Sequence, residues 1–128
     1  MPHLVADWIL QKNKEAIKKI NDSKVRSIHS FKYSLAMITG FIIINIPIVK
    51  ELSIVAYILL IISVIFWFYI THFLIDDRVM VTYIMHKVKG IKKDSQLSTM
   101  FEIMIDQILH LLAFIPPALI VAVIRFLI

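Results

Sequence analysis

The chain has 128 residues, of which 59% are hydrophobic and 18% charged, with two glycines, four prolines and no cysteine. Soluble domains sit near half apolar and a quarter charged, so this balance argues against a water-soluble monomer, and scarce glycine and proline exclude collagen-like, linker-rich and disordered classes. Fourteen Lys and Arg against nine Asp and Glu leave a formal charge of +5, and the absence of cysteine removes disulfides, thiolate metal sites and cysteine nucleophiles.

In chain order, residues 1–22 read as an amphipathic helix, partly inserted in a membrane. Its first part, His3 to Leu10, is largely apolar, its second carries lysines, and Asn21, Asp22 and Ser23 end it. From Ile28 to Ile75 the only charged side chains at neutral pH are Lys32, Lys50 and Glu51. Pro47, Lys50 and Glu51 divide that stretch into spans 28–46 and 52–75, which as helices reach about 28 and 36 Å, enough for a hydrocarbon core of about 30 Å. The second span is expected to continue as an interfacial helix to Lys89, with Gly90 as its stop. Thr99 and Glu102 suit a capping box at the start of a third span, 97–127. That span should kink at Pro116 and Pro117, which remove two backbone donors. The predicted fold is an all-α integral membrane protein: one domain, three transmembrane helices and the N-terminal amphipathic helix.

The basic residues orient this bundle. Lys12, Lys14, Lys18, Lys19, Lys24 and Arg26 precede the first span, Arg78, Lys87, Lys89, Lys92 and Lys93 follow the second, and Lys32 can snorkel to the same side. Lys50 and Arg125 fall on the other. By the positive-inside rule the Lys-rich side is cytoplasmic, and nucleic acid is not needed to explain the charge. The cluster Phe66, Trp67, Phe68, Tyr69 and Phe73 suits an inner interfacial belt or aromatic packing. The sequence shows no cleavable signal peptide, because the N-terminus turns basic within a dozen residues.

Ionisable groups inside spans are costly, so each is a candidate for function. Three pairs share one spacing: His3 with Asp7, His72 with Asp76, and Asp106 with His110 are each four apart, hence on one helix face. His29 adds a fourth imidazole. The topology puts all of them in the cytoplasmic half, where His3, Asp7, His29, His72, Asp76, Asp106 and His110 can converge on one pocket. Imidazole and carboxylate donors favour Zn, Mn or Fe over Ca or Mg. Gln11 and Gln107 are candidates to orient a ligand from behind, or equally to hold helices together. A buried His and Asp can also satisfy one another and glue helices without any ligand. His86, Asp77, Arg78 and the lysine runs read as solvated or headgroup-facing, Tyr33 as packing, and Asn45 as a helix terminus.

In order, His3-Leu4-Val5-Ala6-Asp7-Trp8-Ile9-Leu10-Gln11, His29, His72-Phe73-Leu74-Ile75-Asp76 and Asp106-Gln107-Ile108-Leu109-His110 resemble the motifs of the domain-of-unknown-function 3307 family of small bacterial and phage membrane proteins. The likeness covers nearly the whole chain. It implies a membrane fold and a shared polar constellation rather than an activity. Where that family often carries a second histidine after the middle one, this chain has Tyr33.

Three function classes follow. One is a metal-dependent hydrolase whose His and Asp cage activates water for attack on a substrate entering from the cytoplasm or inner leaflet. No nucleophile motif, phosphate loop or H-E-x-x-H helix supports it, so enzymatic activity stays open. The second is a non-enzymatic membrane sensor or accessory subunit. The third is a small oligomeric transporter or holin-like pore using the His and Asp network as an ion path. The expected partners are the lipid bilayer and a second copy or another membrane protein, in a bacterial cytoplasmic membrane.

Overall fold

A computed structural model describes residues 18–49, 52–91 and 98–127. The expected amphipathic helix over 1–22, with His3, Asp7 and Gln11, lies outside these residues except for its last five. The described residues form helices and turns only. Helix α1 (Ser23–Val49) starts where Asp22 Oδ1 accepts from the backbone N–H groups of Lys24 and Val25 at 3.0 and 3.2 Å, an N-cap that satisfies two orphan donors. The helix runs on past residue 47, so the division between the first two spans falls after Pro47. Ser53 caps α2 (Ile54–Asp76), its hydroxyl accepting from Ala56 N at 3.3 Å.

The expected helical continuation of α2 to Lys89 is interrupted. Arg78 adopts the left-handed conformation, with φ of 60°, which sterics disfavour for a residue with a Cβ. The chain restarts as α3 (Val79–Tyr83) and widens into a π-helical turn, Ile84–Val88. Gly90 follows with φ of 64°, the conformation in which glycine pays no Cβ penalty.

The third apolar stretch is two helices, α4 (Ser98–Leu112) and α5 (Ile115–Leu127), parted at Ala113 and Phe114, just before the proline pair. In a continuous helix the carbonyl of Ala113 would accept from the N–H of residue 117, which proline lacks. Trp67 Nε1 donates to that carbonyl instead, at 2.8 Å. The aromatic cluster thus divides by role: Trp67 repairs the break, Phe68 is buried, and Phe66 faces outward. The Glu102 carboxylate, expected in a capping box, accepts from Arg78 at 2.6 Å.

One apolar core joins Tyr33, Met37 and Ile38 of α1 to Val64 and Phe68 of α2, and a second joins Val81 and Met85 to Ile105 of α4. Ser30 and Ser34, both wholly buried, form a small-xxx-small stripe that lets α1 and α2 approach closely. Ile43, Ile54, Leu59, Phe66, Leu111 and Val123 stay exposed. Three segments, Ser23–Asn45, Ile54–Asp76 and Ser98–Leu127, are long and apolar enough to cross a membrane.

Candidate metal centre

The first turns of α1, the last turns of α2 and the middle of α4 meet at one end of the bundle. Buried positions on α1 (Arg26, His29, Ser30, Tyr33, Ser34) and on α2 (Phe68, His72, Ile75, Asp76) recur at three- and four-residue intervals, so the face that packs is also the face that carries the polar groups. His72 and His110 are each 1% exposed, His29 and Asp76 each 3%.

For neutral rings the hydrogen bonds select one set of tautomers. His110 Nδ1 lies 2.8 Å from the carbonyl oxygen of Asp106, which can only accept, so Nδ1 carries the proton. In the neutral ring His110 Nε2 is then an acceptor, and it receives the Nδ1–H of His72 at 2.8 Å. That leaves the lone pair of neutral His72 on Nε2, directed at Asp76 Oδ2 3.2 Å away. On the other side Lys19 Nζ lies 3.4 Å from His29 Nε2. An ammonium has only donors, so His29 Nε2 accepts from Lys19, and the same nitrogen lies 3.6 Å from the Asp76 oxygen that faces His72. Ligand atoms from His29, His72 and Asp76 all lie within 4.8 Å of one another. Acceptors facing each other inside a protein repel unless a cation lies close by, and Lys19 Nζ, against both His29 Nε2 and Asp76 Oδ1, is one such cation.

The spacing fits a metal. In a tetrahedral site with bonds of about 2.0–2.1 Å, neighbouring ligand atoms are about 3.3–3.4 Å apart; two of the three edges, 3.2 and 3.6 Å, bracket that value, and the third lies within 4.8 Å. Support behind the ligands is also in place. His110 holds the far nitrogen of His72, as metal-bound imidazoles generally require, and the Tyr33 ring stacks on His72 at 3.6 Å between centroids, 9° from parallel.

Lys19 supplies part of the positive charge. Its ammonium lies 2.9 Å from Asp76 Oδ1, opposite the oxygen that faces the histidines, and is therefore no solvated member of a lysine run. Arg26 positions it: the guanidinium donates to the carbonyls of Lys19 and Ile20 at 3.3 and 3.1 Å, pairs with Asp77 at 2.7 Å and lies 4.7 Å from the centre of the Phe73 ring. Asp77 and Arg78, expected in solvent, are both engaged, and His86 Nδ1 lies 2.6 Å from the carbonyl oxygen of Ile91.

The structure thus brings His29, His72, Asp76, Asp106 and His110 together, in two ranks. Asp106 stands behind His110, its carboxylate 3.6 Å from Nδ1 and accepting from Gln107 Nε2 at 3.3 Å. Gln107 therefore touches Asp106. His3, Asp7 and Gln11 lie outside the described residues. The sequence reading missed Lys19 and Arg26, whose only signal was nearness to the first span, and the stacking role of Tyr33, for which spacing gave none. A half-open polar cleft of about 450 Å³ opens at the same end, lined by Ile20, Asp77, Arg78, Thr82, His86 and Glu102 among others.

The family model described as Protein of unknown function (DUF3307) matches residues 1–126. No curated protein and no solved structure matches the chain.

Proposed function

The chain belongs to the DUF3307 family, and from that premise we propose that it is an integral membrane protein binding one divalent metal ion, Zn, Mn or Fe, through His29, His72 and Asp76. The observation that carries this reading is the convergence of two imidazole nitrogens on one buried carboxylate oxygen. Such a set of nitrogen and oxygen donors suits those metals better than Ca or Mg. The Lys-rich end, with the site, faces the cytoplasm of a bacterial cell. Asp106 and His110 hold the ligands from behind, and the polar cleft opens at the same end of the bundle. A bound ion would supply Lewis acidity there, which is the form a hydrolytic activity would take.

A second reading has its own observation. The Lys19 ammonium, 2.9 Å from Asp76, neutralises the carboxylate without any metal, and the network then holds α1, α2 and α4 together as polar glue. Metal analysis of detergent-purified protein separates the two. The metal reading predicts about one tightly held ion per chain, lost in His29→Ala and His72→Ala and kept in His86→Ala. Wild-type protein that emerges metal-free from zinc reconstitution would leave the polar glue. Topology is testable because the chain has no cysteine: a single cysteine replacing Lys89 should be labelled from the cytoplasm, and one replacing Lys50 from outside.

A further inference from the structure

The far end of the bundle holds a second feature that the metal site does not use. Between α1 and α5 lies a half-open cavity of about 390 Å³, walled by Phe41, Ile44, Phe68, Phe114 and Val121. That volume is within the range of small-ligand sites. Of its two hydrogen-bonding side chains, Asn45 and Arg125, Asn45 lies about 24 Å along α1 from His29 at 1.5 Å per residue. Asn45 is buried, its amide donating to the Phe41 carbonyl at 2.8 Å. Its Oδ1 accepts from Arg125 Nη2 at 3.4 Å, which holds the guanidinium over the mouth. No carboxylate of the described residues pairs with Arg125.

We propose that this cavity binds an anionic phospholipid, with Arg125 taking the phosphate and one acyl chain lying along the apolar wall. The inference rests on the reading of the three apolar helices as membrane spans. Charge decides the occupant: a guanidinium at the end of an apolar groove matches a phosphate bidentately, whereas a second copy of α5 would bring another Arg125 against it.

Native mass spectrometry of the full chain, released from detergent with dioleoyl phosphatidylglycerol or dioleoyl phosphatidylcholine, tests this. Phosphatidylglycerol should be retained about tenfold more strongly, because the choline cation of phosphatidylcholine repels the guanidinium that its phosphate attracts. Arg125→Gln should reduce it to the phosphatidylcholine level, and Ala118→Phe, which fills the groove, should lower retention of both lipids. Equal retention of the two lipids by wild type overturns the proposal, as does a preference that survives both variants, or a dimer that holds no lipid and falls apart in Ala118→Phe. Carbonate extraction keeps the premises apart. Protein that washes off membranes defeats the span reading, and protein that stays without lipid preference defeats only the lipid site.

Discussion

The two ends of the α1–α2 pair are built on opposite principles. At the histidine end, small serines draw the helices together and polar atoms fill the interior: Ser30, Ser34, His72 and His110 are all at most 1% exposed. At the Asn45 end the proline break separates α5 from α4 and leaves a cavity with an apolar wall. The contrast teaches that among helices this apolar, close packing comes from small residues and polar contacts. Apolar content alone does not close the other end.

Variants that break this contrast should differ in size. The largest effect is expected for Lys19→Met, which strips the buried Asp76 of its ammonium. Loss of one partner from a buried pair costs about 3 kcal/mol, to be read as a lowered melting midpoint in detergent that added zinc restores in part. An unchanged midpoint would show that Lys19 contributes nothing at the tight end. Next, Ser34→Leu inserts bulk where α1 and α2 touch and should cost about 2 kcal/mol. Trp67→Phe leaves the Ala113 carbonyl without its donor and should cost about 1 kcal/mol, with hydrogen exchange rising locally around residues 113–118. Smallest of all, Ala118→Phe enters existing space and should change stability by no more than about 0.5 kcal/mol. A large loss there would mean that the cavity end is as tightly packed as the other.

Much of this was legible beforehand. Hydropathy located the three apolar stretches, and the four-residue spacing of His72 with Asp76 and of Asp106 with His110 put each pair on one face, at the depth where the structure joins them. Spacing gives a face, not a rotamer or a partner across helices. It could not say that His110 would turn to His72 and leave Asp106 behind it, nor that Asp76 would take its nearest cation from Lys19, 57 positions away in sequence. The break at Arg78 was hidden for a different reason. Nothing local demands a left-handed arginine, and the Glu102 ion pair that accompanies it comes from α4. The proline pair did announce a break, but the capture of the freed carbonyl by Trp67 depends on how α2 lies against that break.

The central claim is that His29, His72 and Asp76 form a metal site and not a self-sufficient polar knot. X-ray absorption at the zinc edge of the reconstituted full chain tests it most directly. The account predicts a nitrogen and oxygen shell at about 2.0–2.1 Å with the outer scattering of two imidazoles, a signature that His72→Ala loses together with the ion. A spectrum of hydrated zinc alone, or a shell that His72→Ala leaves unchanged, would contradict it.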